Sequence, residues 1–134
     1  MDKQLKDMAD FMTKFDQPVA DEPKMVDAQR QLLRFNMLHE ENMEYLQACT
    51  ANDLVEVADA LTDQLYLVLG NFCTHGLQDI AVDLFNEVHR SNMSKLGDDG
   101  KPVYYEGTIK VGKGPNYSPP DLRSIIEAHF KNNN

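Results

Sequence analysis

The sequence predicts an all-α protein, a helical bundle of about five helices carrying a short C-terminal arm. Three observations predict it. Apolar residues recur at three-to-four spacing in segment after segment. Helix start and stop signals separate those segments. Only one stretch, VYYEGTIKV at 103–111, is rich in strand-forming residues.

The elements follow in order. Leu5, Met8, Phe11, Met12 and Phe15 mark a short amphipathic helix over 2–15, and DQPVADEP at 16–23 is a loop. Pro23 suits the first turn of a second helix running to Ala48, with Asp21 or Glu22 near the positive end of its dipole. Thr50-Ala-Asn-Asp53 is a helix-start pattern, so Thr50 or Asn52 is expected to cap a third helix reaching His75, with Gly76 as its stop. A fourth helix is expected from Gln78 to Lys95, with Ile80, Leu84, Phe85 and Val88 inward. Asp99-Gly100 signals a turn, and the β-prone stretch after it predicts a short hairpin or ordered loop. Ser118 is expected to cap a last helix opening on Pro119, with Leu122, Ile125, Ile126 and Phe130 as its apolar face.

The chain has 134 residues, enough for one domain over 1–134 with a core of its own. That core is expected at about 23–96, and the arm and last helix at 97–131. No apolar run approaches the roughly 20 residues of a membrane helix, and MDKQLKDMADF lacks the apolar centre of a signal peptide. A cytoplasmic location with no membrane partner is expected. Cys49 and Cys73 lie in apolar helical surroundings without a CxxC, which predicts buried reduced thiols. The methionines read as core filler.

Net charge is −9, whereas a duplex-binding protein presents a basic patch, so no nucleic-acid partner is expected. The clustered lysines, Lys95, Lys101, Lys110 and Lys113, lie near the C-terminus. Phosphate binding would need those lysines or a bound cation.

Carboxylates are the main chemical feature. On the second helix Glu40, Glu41 and Glu44 continue the stripe of Val26, Leu33, Met37 and Ala48. On the third, Glu56, Asp59 and Asp63 share a face that Tyr66, Leu67, Gly70 and Cys73 extend, while Leu54, Leu61, Leu65 and Phe72 lie opposite. The second half of that helix is apolar all round, which predicts a central helix whose acidic side faces buried surroundings. Desolvated carboxylates without partners cost several kcal/mol, so they take up protons or find a cation. No lysine or arginine occurs between Arg34 and Arg90. Two i, i+3 carboxylate pairs on antiparallel helices make an oxygen cage suited to Mg2+ or Mn2+. Spacing alone leaves the other reading open, a solvated acidic face on an acidic protein. There is no Gly-rich phosphate loop and no Ser/His/Asp or Cys/His arrangement.

Glu40-Glu41-x-x-Glu44, eleven residues, then Glu56-x-x-Asp59 resembles the E-E-x-x-E…E-x-x-D signature of the all-α nucleoside triphosphate pyrophosphohydrolases. That superfamily includes MazG-type enzymes, dimeric dUTPases and phosphoribosyl-ATP pyrophosphohydrolases. NEVHRSNMSK at 86–95 and the following DGKPVYYEGTIKVGKGPNYSPPDL are similar to the phosphoribosyl-ATP pyrophosphohydrolase-like branch, and the likeness covers roughly 25 to 125. The resemblance implies a four-helix metal-binding core built from one or two chains. It implies Mg2+ and cleavage between the α and β phosphates of an NTP or dNTP, giving a monophosphate and pyrophosphate. By motif position it implies Glu41, Glu44, Glu56 and Asp59 as metal ligands. Glu40 would be a supporting carboxylate or the base that orients water, and Asp63 would support the ligands. Metal ions held by four carboxylates neutralise a triphosphate and acidify a water, so no covalent nucleophile is needed.

Further substrate-binding candidates are Asn92 and Lys95 on one helix face, with Arg90 beside them, and Lys110, Lys113 and Tyr117 in a loop able to close over a nucleotide. For each the alternative is a solvated surface. Gln29 and Asn36 are candidates for reading a base edge; His39 and His89 read as structural or surface residues. Helices apolar on more than one face need partner surface, so a homodimer or tetramer is expected. Two rival functions stand beside the NTP reading: hydrolysis of phosphoribosyl-ATP, and a non-catalytic helical dimerisation module.

Overall fold

A computed structural model describes residues 1–132. The described chain is all-α, with α1 (Asp2–Lys14), α2 (Ala28–Ala51), α3 (Leu54–Thr74), a 3-10 turn at Gln78–Ile80, α4 (Ala81–Met93) and α5 (Leu122–Asn132). It divides into two compact units, Met1–Asp79 and the remainder from Ile80. No helix is long and apolar enough to cross a membrane.

In the first unit α3 is central and packs against both α1 and α2. α1 buries Leu5, Met8 and Met12, each worth roughly 1.5–3 kcal/mol relative to exposure. Phe11 and Phe15 share the predicted stripe but are not buried, at 38% and 62% exposed, with their rings 4.4 Å apart. α2 begins at Ala28 rather than Pro23, because Asp27 is extended and its carboxylate accepts from Arg30 N at 2.8 Å. Pro23 lies in a loop bound to the end of α3: Ala20 N donates to Cys73 O and Lys24 N to His75 O, at 2.9 and 3.0 Å. These bonds satisfy carbonyls that the helix end leaves without partners. Gly76 is the predicted stop, at φ 68°, and a Cβ there would strike the Glu22 carbonyl.

The α2–α3 turn differs from the predicted one. α2 continues through Thr50, whose hydroxyl bonds Leu46 O within the helix, and ends at Asn52 in the left-handed region. Asp53 therefore caps α3, accepting from Val55 N and Glu56 N at 3.0 and 3.3 Å. Arg34 bonds Asn71, and Gln64 bonds Glu41. Seven residues forward on α2 match seven back on α3, which is an antiparallel register. Leu69, Gly70 and Cys73 of α3 are buried, whereas Leu54, Leu61 and Leu65 are 79%, 49% and 53% exposed. The side of α3 that carries the acids is thus the packed one towards its C-terminal half, and the stronger apolar stripe is uncovered. Cys73 is buried as expected, and burial pushes its thiol pKa up. Cys49 is exposed, contrary to expectation, because it lies on the open side of α2.

Ahead of α4 the 3-10 turn at Gln78–Ile80 replaces the first turn of the predicted fourth helix. Ile80 and Leu84 are buried as expected, but Phe85 and Val88 are exposed. The arm folds back as a hairpin with a single bridge, Tyr104 to Val111, and no extended strand among the described residues. Gly114 N bonds Lys95 O at 2.9 Å, and a Cβ at Gly114 would collide with the Leu96 carbonyl, so the arm's root is fixed. α5 starts at Leu122 because Asp121, not Ser118, caps it, accepting from Ser124 N at 3.1 Å and Ser124 Oγ at 2.6 Å. Ser118 N instead donates to Ser94 Oγ.

Candidate active site

α2 and α3 bring acidic side chains to one groove. Glu44, Glu56 and Asp59 line it together with Asp53 and Gln47. Glu41 does not line this groove; it lies three residues before Glu44 on α2, and its backbone carbonyl accepts from Gln64 Nε2 at 3.2 Å. Its Oε2 is buried with no hydrogen-bond partner among the described residues. Burial raises the Glu41 pKa, and the neighbouring charges of Glu44, Asp63, Asp59 and Glu40 raise it further, in that order. No lysine or arginine occurs between Arg34 and Arg90, so neither helix supplies a cation from Glu41 onward. The expectation of a buried acidic face on α3 needs correction: Glu56, Asp59 and Asp63 are exposed, as are Glu40 and Glu44, and of these six acids Glu41 alone is half-buried. The facing helices leave an open cleft between these carboxylates.

The donor set fits a hard divalent cation. Carboxylate oxygens are the donor type that Mg2+ takes, and the Glu41 Oε2 has no hydrogen-bond partner among the described residues. Among the described residues no three Asp, Glu, His or Cys side chains are already gathered closely enough to chelate an ion.

The candidates of the second unit pair among themselves. Lys95 Nζ bonds Asn92 Oδ1 at 2.7 Å. Lys113 lies over the Tyr117 ring, 4.3 Å from its centre, and Lys110 lies 5.8 Å from that of Tyr105. Stacking of Tyr117 on a base by the face that Lys113 covers requires the lysine to leave. Arg90 is held by a two-pronged bond to Glu87, both at 2.8 Å, and Glu87 also accepts from Asp121 N. Those bonds hold the Glu87 carboxyl down to about 2. Arg90 thus secures the α4–α5 junction. His39 and His89 stack on Phe35 and Phe85 at the surface, and Gln29 and Asn36 are exposed.

Sequence reasoning missed Arg34. Its guanidinium donates from Nε to Asn71 Oδ1 at 2.5 Å and from Nη2 to Leu67 O at 2.8 Å. It is half-buried, and burial followed by the nearby Arg30 charge lowers its pKa. The available signal was its position: the last cation of α2, seven residues before Glu41 on the same stripe.

An all-α pyrophosphohydrolase, an enzyme class acting on phosphoanhydride bonds, is what the comparisons with known proteins support. The profile of the phosphoribosyl-ATP pyrophosphohydrolase family matches residues 8–92, and the chain belongs to that family. Among solved structures, a "putative NTP pyrophosphohydrolase" from Exiguobacterium sp. 255-15 is 27% identical, with 98% of each chain covered and a TM-score of 0.55. No curated protein matches the chain.

Proposed function

We propose that the protein is a Mg2+-dependent nucleotide pyrophosphohydrolase that converts an NTP or dNTP to its monophosphate and pyrophosphate. The observation that carries this reading is the unpaired, buried oxygen of Glu41 among Glu44, Asp59 and Asp63 on facing helices. Such a cluster repels itself until a divalent cation joins it. A bound Mg2+, with Mn2+ as a substitute, would neutralise the phosphates and acidify a water. Glu41, Glu44, Glu56 and Asp59 would hold it. Glu40, exposed beside Glu41, would take a proton from the attacking water as the new P–O bond forms and the α–β bridging bond breaks, with pyrophosphate leaving. Asn92, Lys95, Lys110, Lys113 and Tyr117 remain proposed substrate contacts.

The family match favours a second substrate, phosphoribosyl-ATP, whose cleavage uses the same bond chemistry. Incubation with Mg2+ and a panel of NTPs, dNTPs and phosphoribosyl-ATP, with product chromatography, separates the two. Loss of turnover in Glu44→Gln and Asp59→Asn is expected. Activity retained in both variants would sink the carboxylate site. No turnover of any panel member would leave the helical binding module.

The working unit is proposed to be a homodimer in the cytoplasm. Leu61, Leu65 and Val68 of α3 and Leu32, Phe35 and Leu46 of α2 are exposed on the long helices. Apolar surface of that extent on a soluble protein marks an interface.

A further inference from the structure

A cavity of about 480 Å3 opens between α1, α2 and α3, within the range of small-molecule sites. Phe11, Phe15, Met37 and Tyr66 give it aromatic and thioether walls, and Gln17 and Arg34 supply polar groups. Phe11 and Tyr66 meet edge to face at 5.5 Å and 72°, so two rings are set at different angles around the space. The pocket approaches the acidic residues Glu41 and Asp63 along both helices. Met37 lies four residues before Glu41 on α2, and Tyr66 three after Asp63 on α3. That is about one helical turn, roughly 5.4 Å. A ribose fills such a gap between a base and its α phosphate.

The polar element of this pocket has a defined character. Arg34 is seated over Gly70, where an added Cβ would strike its Nη2. Asn71 and Leu67 hold its Nε and Nη2, and no carboxylate pairs with it. Its Nη1 and the second Nη2 hydrogen have no protein partner among the described residues, which leaves the end-on fork of the guanidinium for a ligand. Gln17 is neutral and already engaged, its Oε1 accepting from Arg30 Nη1 at 3.1 Å and its Nε2 donating to Phe15 O at 3.2 Å, so it does not balance this cation. An aromatic slot whose charged group only donates suits a flat ring presenting acceptors. Guanine and hypoxanthine present N7 and O6 side by side, which is the edge that arginine reads best. Adenine places an amino donor where O6 would be.

We propose that this pocket binds the base of the substrate and selects 6-oxopurines over adenine through Arg34. The proposal rests on the nucleotide reading of the adjoining carboxylates, and its test is independent of turnover. GMP, IMP and AMP are titrated into the full-length protein by calorimetry, with EDTA present, so that no step of hydrolysis enters. GMP and IMP are expected to bind roughly ten-fold or more tightly than AMP, within the discrimination a two-pronged arginine contact supplies. Arg34→Lys keeps the charge and removes the planar fork; it should abolish the preference while circular dichroism shows an intact helical fold. Phe11→Leu should weaken all three ligands together.

AMP binding as tight as GMP, or a preference that survives in Arg34→Lys, overturns the proposal. So does the failure of any base to bind, as when a second copy of the chain covers the pocket. Should Arg34→Lys not fold, Asn71→Ala replaces it, because it frees the guanidinium from its orientation and should erode the same preference. A 6-oxopurine preference without hydrolysis of any nucleotide would uphold the pocket and refute the hydrolase reading. Hydrolysis with an adenine preference would do the reverse.

Discussion

Replacing Glu41 by Gln is expected to stabilise the metal-free protein while disabling it. The carboxylate carries a buried oxygen without a partner, and Glu44, Asp63, Asp59 and Glu40 repel it. A like-charge neighbour three or four residues away on a helix costs about 0.2–0.5 kcal/mol. Glu44 is such a neighbour, and Asp63 and Asp59 act across the helix pair. Discounting the exposed partners for solvent screening leaves a gain of about 1 kcal/mol for the neutral amide. For a chain of this size that is roughly 3–5 °C in Tm. The sign follows from linkage. The folded-state pKa of Glu41 is raised, so the native state holds its proton longer than the unfolded chain does. Stability from that group is lost as pH rises from the ordinary glutamate range through the raised value. The gain in Glu41→Gln is therefore largest at neutral pH and disappears below about pH 4. Thermal melts in EDTA at pH 7 and pH 4, at one protein concentration, read both effects. Adding Mg2+ should raise the wild-type Tm, by the linkage that gives about 2.7 kcal/mol at a hundred times the Kd, and raise the variant much less. A lower Tm for Glu41→Gln at pH 7 in EDTA would refute the reasoning.

Other perturbations test neighbouring parts of the account. Gly70→Ala should push the Arg34 guanidinium off Asn71 and Leu67 and cost about 1–3 kcal/mol in urea denaturation; an unchanged midpoint would show that Arg34 relocates freely. Glu87→Gln should lower stability at pH 7, with the deficit shrinking as pH falls from the ordinary value of 4.5 towards about 2, where the wild-type carboxyl also takes a proton; a pH-independent difference would contradict this. Leu61→Asp and Leu65→Asp should shift the protein to monomer in sedimentation velocity, with loss of thermal stability; an unchanged assembly would place the interface elsewhere.

The periodicity of the chain carried most of the fold. Leu5, Met8 and Met12 went inside as their spacing required, and Gly76 stopped α3 at a positive φ that its lack of a Cβ permits. Helix ends were harder to read because several capping residues competed within a few positions. Thr50, Asn52 and Asp53 are all plausible caps by chemistry, and the choice fell to Asp53 once α2 had continued through Thr50. Apolar patterning also does not say what a face packs against. Leu61 and Leu65 were the stronger stripe of α3, yet the first unit packs the other side, whose Gly70 gives Arg34 its seat. The row of acids on each helix was legible from spacing, since i, i+3 residues share a face whatever the tertiary structure. Arg34 was not, because its partners Leu67 and Asn71 lie 33 and 37 residues away.

The measurement that tests the central claim most directly is phosphorus NMR of an NTP or dNTP substrate incubated with the protein, once with Mg2+ and once with EDTA. The account predicts that Mg2+ yields monophosphate and pyrophosphate in equal amounts and that EDTA yields neither. Diphosphate with inorganic phosphate, or equal turnover in EDTA, would contradict it.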